Sequence, residues 1–188
     1  HSYLAARGFT DRMIDSFFRP FLGGVFLDPS LETSSRMFEF VFRMFGEADV
    51  AVPARGMGAL SEQLAADLPS GCIRLNSAVE SVSSTSVELT GGGALSARAV
   101  VLATDGPTAR RLANLEDAPA YRPALCIYYD AAESPVEEGI LILDGEGRGP
   151  VMNFTPMSRV SSTYAPAGRE LLSATILGDA IERPEVRV

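Results

Sequence analysis

The sequence predicts an α+β fold, and three observations carry the prediction. Phenylalanine and methionine recur at helical spacing from His1 to about Ala51. A helix, a β hairpin and an apolar strand follow from Val52 to about Leu115, and strand-like runs separated by Gly, Pro and acidic turns fill the remainder. These changes of character divide the chain into residues 1–51, 52–118 and 119–188.

In the first stretch, Met13, Phe17 and Phe21, then Met37, Phe38, Val41, Phe42 and Phe45, recur at three and four residues and predict two helices. Between them Leu22 to Ser30 carries paired glycines and an Asp-Pro turn signal, so it reads as the connection. Thr33 or Ser34 is placed to cap the second helix. An aromatic stripe of this kind is ordinary helix-pair core, each buried Phe contributing about 1.5–3 kcal/mol. The lining of a lipophilic channel is the alternative, and both can hold at once.

In the second stretch, Leu60, Leu64, Ala65 and Leu68 share one face of a helix that starts near Gly58 and stops at Pro69-Ser70-Gly71. Ile73 and Leu75, Val79 and Val82, then Val87 and Leu89 alternate with polar residues, and Gly91-Gly92-Gly93 turns the chain into Leu95 and Ala97, a hairpin. The triple glycine is read as this turn and not as a phosphate loop, since no helix follows it. Ala99 to Ala103 is continuously apolar, as expected of a strand covered on both faces, and Pro107 to Leu115 reads as a helix with Arg110 and Arg111 outward. In the third stretch, Ala124 to Tyr129, Gly139 to Leu143, Val151 to Thr155 and Leu171 to Leu177 predict an antiparallel sheet. Asp179 to Val188, with Pro184 and mixed charges, reads as a cut end.

Composition narrows function. The 188 residues are 46% hydrophobic, enough to bury a core, and a net charge of -8 argues against a nucleic-acid partner, which needs a clustered basic face. All sixteen basic residues are arginine, so Schiff-base, lysine general-base and Walker-type phosphate chemistry have no residue to carry them. Cys72 and Cys126 lie far apart with no CxxC, so neither a metal knuckle nor a disulfide framework is expected, and a reducing, cytoplasmic compartment fits best. No apolar run approaches the length of a membrane span. No metal site is expected, and nothing in the sequence sets an oligomeric state.

The segments GFTDRMIDSFFRPFLGGVFLDPSL, VPARGMGALSEQLAADLP, IRLNSAVESVSS and ARAVVLATDGPTARRL together resemble the middle of the superfamily of FAD-dependent amine oxidases, phytoene desaturases and protoporphyrinogen oxidases. The resemblance implies a partial FAD-binding domain, strands plus helix, with a helical and antiparallel-sheet substrate lobe. It places residues 52–118 in the FAD-binding part and the two flanking stretches in the substrate part. It implies Val79 as the valine beside the adenine, Ala103 and Thr104 at the end of the strand facing the nucleotide, and Gly56 and Met57 in the family's glycine turn, where Arg55 replaces the first glycine. An extended backbone at an uncharged residue such as Val79 offers adenine a donor and an acceptor. An isolated valine or glycine would otherwise be read as core or turn.

The family's GxGxxG turn, which binds the FAD pyrophosphate, and its carboxyl-terminal flavin segment have no counterpart here, so FAD is expected in the full-length parent and weakly or not at all on these 188 residues. The resemblance also implies, for amine oxidases, a lysine holding a water near flavin N5 in a strand like Pro123 to Tyr129. Leu125 is the nearest match, and no lysine replaces it. The expected activity is therefore dehydrogenation or desaturation of a small lipophilic substrate. A ligand-binding or assembly module that kept the fold without the chemistry is the alternative. No acid-base pair stands out: Asp105, Asp130 and Asp144 read as solvated turn carboxylates, and Tyr128 and Tyr129 point to opposite faces of their strand.

Overall fold

The computed structural model describes residues 1–116 and 122–182. The boundary expected at 118/119 and the tail with Pro184 lie outside the described residues. The chain divides into two compact units, one formed by 1–61 with 122–188 and the other by 62–121.

The first unit opens with α1 (Ser2–Ala6), followed by α2 (Asp11–Met13), a π-helical turn (Ile14–Phe18) and α3 (Arg19–Phe26), which run on as one rod. Thr10 caps its start by accepting from Met13 N. Ile14 and Phe18, four residues apart, share the inward face of the rod and form the core with Leu4, Leu22 and Leu31. Here the structure corrects the sequence reading, because Gly23-Gly24 lies inside α3 and not in a connection. A Cβ at Gly23 would come within 2.9 Å of Met152 Sδ, and one at Gly24 would overlap the amide of Asn153, so the pair serves close helix–sheet packing. The true turn comes at Leu27, in the left-handed region.

α4 (Ser35–Glu47) is capped by Ser34, as expected. Its Phe38, Phe42 and Phe45 meet Phe18 and Phe21 in edge and tilted contacts with centroids 5.4–6.3 Å apart. The aromatic stripe is thus partly core. Met37, Phe40 and Met44, on the other side of the helix, remain exposed, and of the eight stripe residues none is fully buried.

The four strands predicted for the last stretch all form: β4 (Ala124–Ala131), β5 (Ile142–Leu143), β6 (Val151–Pro156) and β7 (Glu170–Leu177). They pair antiparallel in the order β4-β7-β6-β5. β4 and β7 are in register over their full length, from Ala124 opposite Leu177 to Ala131 opposite Glu170. Leu172, Ala174 and Ile176 alternate along β7 and are buried, so this central strand carries the sheet's core. α7 (Met157–Val160) follows β6 directly.

α5 (Gly58–Ala66) runs across the 61/62 boundary. The second unit continues with a three-stranded meander, β1 (Val79–Val82), β2 (Ser86–Leu89) and β3 (Ala94–Ser96), and then α6 (Gly106–Ala113). Gly91, Gly92 and Gly93 all adopt positive φ in the β2–β3 turn, which explains why three glycines are used there. Two expectations fail in this unit. Ile73 and Leu75 precede the hairpin as exposed coil, and Ala99–Ala103 is not a buried strand: Val101 is 85% exposed, and no described strand pairs with the segment. Apolar composition supplies strand propensity, but a strand exists only where a neighbour accepts its hydrogen bonds. Leu60 and Leu64 on α5, and Leu68 beyond its end at Ala66, are likewise exposed, and no described residue from 62 to 116 is buried.

Candidate functional site

In the second unit, Val79 is half-buried and opens β1, an edge strand paired with β2 through Leu89. Along its outer edge no other described strand pairs with β1, which leaves extended backbone available to a ligand. α6 packs against β1, and Arg111 Nη1 donates to Glu80 O at 3.4 Å. Ala103 and Thr104 are exposed just ahead of α6, and Thr104 Oγ1 donates to Asp105 O at 3.1 Å. Asp105 caps α6 by accepting from Thr108 N at 3.0 Å, and that hydrogen bond holds its carboxyl below the usual carboxylate range. A cleft of about 330 Å³ beside the hairpin has Glu80 and Glu88 in its wall, a poor surface for phosphate.

Gly56 and Met57 belong to the first unit. Gly56 closes a turn, donating to Pro53 O at 3.0 Å with φ +85°, a conformation that favours glycine. The turn is anchored from the other end of the chain: Tyr164 Oη donates to Pro53 O at 2.7 Å, and Thr163 Oγ1 donates to Ala54 O. Met57 is 63% exposed. Nothing in the local sequence pointed to Tyr164 as the anchor.

On β4, Leu125 and Ile127 are half-buried, while Cys126 and Tyr128 are exposed on the opposite face. Cys126 Sγ lies 3.2 Å from Ser173 Oγ across the strand pair, and the hydrogen bond between Tyr128 and Cys126 pushes the phenol pKa up. Tyr129 is also exposed. The remaining carboxylates singled out in the sequence have structural partners. Arg169 Nε donates to Asp130 Oδ1 at 2.7 Å and holds its pKa down, and Asp144 accepts from the backbone of Glu146 and Gly147.

The sequence reading missed the most heavily bonded carboxylate. Asp28 is 1% exposed and accepts from Ser30 Oγ, Glu32 N, Thr33 N and Thr33 Oγ1 at 2.7–2.8 Å, with Arg122 Nη1 at 2.6 Å. Burial by itself would raise its pKa, but the hydrogen bonds from Arg122, Ser30 and Thr33 outweigh it and hold the carboxyl well below the usual range. The Asp-Pro dipeptide with Ser and Thr close behind was a signal for such a loop; Arg122 was not, being remote in sequence. Among the described residues no cluster of three or more His, Cys, Asp or Glu side chains could hold a metal ion, and no helix is long and apolar enough to cross a membrane.

The family model of flavin-containing amine oxidoreductases matches residues 2–187. The chain belongs to this family. No curated protein sequence matches it. Among solved structures, reduced UDP-galactopyranose mutase is similar in fold, with a TM-score of 0.58 at 16% identity. That similarity covers 91% of this chain and 45% of the mutase chain, so this member of the flavin-containing amine oxidoreductase family spans less than half the length of that protein.

Proposed function

We propose that the chain is a portion of an FAD-dependent oxidoreductase that removes hydride from a small lipophilic molecule. The observation that carries the reading is the match to flavin-containing amine oxidoreductases over residues 2–187. Within the second unit the reading is supported by Val79, which opens a strand whose outer edge pairs with no described strand, and by Ala103 and Thr104, which are uncharged and exposed. They do not supply a GxGxxG turn, so the pyrophosphate has no cradle within these residues. When bound, the flavin supplies a two-electron acceptor.

The contribution of these residues is to position an apolar substrate. The phenylalanines of α3 and α4 offer apolar surface, and the chain contains no lysine to hold a water for amine oxidation. With the flavin bound, a substrate carbon–hydrogen bond would give up its electron pair as hydride to the flavin, and the neighbouring carbon would lose its proton to water as the double bond forms. The test is anaerobic: the purified polypeptide carrying this chain, loaded with FAD, is mixed with saturated lipophiles or with primary amines while flavin absorbance near 450 nm is followed. Bleaching by a lipophile and not by amines supports the reading. Bleaching by amines alone refutes it.

A further inference from the structure

In the first unit, α4 carries apolar side chains on two sides. Phe38, Phe42 and Phe45 pack against Phe18 and Phe21, yet Met37, Phe40 and Met44 on the opposite side stand exposed. A surface helix needs one apolar stripe, and a helix that is apolar nearly all round is covered on both sides. The charges around the second stripe select the cover. α4 has two arginines and two glutamates: Arg36, Glu39, Arg43 and Glu47. Glu39 is engaged by Tyr3 and Arg7 of α1, and Arg43 Nε lies 3.8 Å from Glu47 Oε1 on the helix surface. Arg36 has no ion pair among the described residues. At 3.6 residues per turn, Arg36, Phe40, Arg43 and Glu47 share an arc of about 60°, with Met37 and Met44 beside it, and Arg36 and Glu47 stand about 16 Å apart at its two ends.

Laid parallel against a second copy, this face sets Arg36 against Arg36 and Glu47 against Glu47. Laid antiparallel about a twofold axis midway between residues 41 and 42, it sets Arg36 against Glu47 twice and brings each Arg43 over the other copy's Phe40, a cation against an aromatic ring. An anionic lipid surface or a uniformly charged partner leaves one end of the face opposed by like charge. We propose that this face of α4 is a self-association surface that pairs antiparallel with α4 of a second copy. The proposal shares no residue with the set expected to hold cofactor, so its failure leaves the flavin reading standing.

Sedimentation velocity of the purified polypeptide carrying this chain, from about 1 to 100 μM, tests it. A helix pair of this length makes a small interface, so the native protein passes from monomer to dimer across that range. Arg36→Glu sets like charges together at both ends of the pair, as does Glu47→Arg, and each weakens dimerisation by about tenfold or more. Both side chains are exposed, so neither reversal disturbs the core. Mixed in equal amounts, the two single variants dimerise with each other, and the double variant dimerises with itself, because opposite charges meet again in both cases. A role confined to the folding of α4 is not restored by mixing. A native protein that stays monomeric throughout, a dimer indifferent to both single reversals, or failure of the mixture or of the double variant to dimerise overturns the proposal.

Discussion

Replacing Asp28 by asparagine keeps the side-chain volume and removes the charge, which isolates the electrostatic part of the loop anchor. In the native protein the carboxylate serves five donors at 2.6–2.8 Å while almost fully buried. Asparagine with its oxygen in the place of Oδ2 keeps Glu32 N, Thr33 N and Thr33 Oγ1, and its amide faces Ser30 Oγ, which can turn to accept, and Arg122, which loses its acceptor, a loss of about 1–3 kcal/mol. Arg122 is 46% exposed and turns to water when the carboxylate is gone, so the full cost of breaking a buried pair does not apply and about 2 kcal/mol is expected. With a urea slope of roughly 2 kcal/mol per molar, the midpoint falls by about 1 M. Of the five tyrosines, Tyr3, Tyr128, Tyr129 and Tyr164 lie in the first unit and the chain has no tryptophan, so tyrosine fluorescence reports on the unit that contains the mutation.

The pH dependence supplies a second check. The folded pKa of Asp28 is depressed, so its contribution is complete above the unfolded value of about 3.9 and is lost as pH falls through the folded pKa. The gap between wild type and Asp28→Asn is therefore constant from pH 7 to about pH 5 and narrows below pH 4. A midpoint within about 0.3 M of wild type at pH 7, or a gap that does not change on acidification, refutes the assignment.

Two glycines make a contrast: Ala at Gly139 drives its Cβ to 2.7 Å from Arg159 O and to 2.9 Å from Val160 Cα, backbone that cannot swing aside, and costs about 1–3 kcal/mol in urea unfolding. Ala at Gly23 meets the flexible Met152 Sδ and costs less. Tyr164→Phe removes the hydrogen bond to Pro53 O, about 1 kcal/mol, and speeds amide exchange in residues 54–58 while leaving the three-stranded meander unchanged. Asp105→Ala uncaps α6 and accelerates exchange at Thr108, whereas Asp105→Asn retains the cap; as Asp105 has a depressed pKa, acidification below the usual carboxylate range weakens the native helix start but not the asparagine variant. Mixed with FAD and desalted, the 188-residue chain retains less than stoichiometric flavin at 450 nm, and a full yellow complement would show that the pyrophosphate is held without the GxGxxG turn.

The sequence made the antiparallel sheet legible because alternation and turn residues are local signals, and every strand from Ala124 to Leu177 follows them. It was misleading where a residue's reason lies across the fold. Gly23-Gly24 has the composition of a turn but is helical because Met152 and Asn153 press against it. Ala99–Ala103 has the composition of a buried strand yet finds no described partner, since pairing depends on another segment and not on its own side chains. For the candidate site, the sequence named Gly56, Met57, Val79, Ala103 and Thr104 through resemblance. The anchors Tyr164 and Arg122 were invisible because each acts on a segment far from it along the chain.

The first unit is assembled from two separate stretches, with residues 62–121 inserted between them. Its halves are joined by β6 against α3, by Arg122 on Asp28 and by Tyr164 on Pro53, none of which passes through the insert. A protease nick within the insert would thus cut the polypeptide in two and leave both pieces clasped. Cohesion of this unit is independent of the continuity of its backbone.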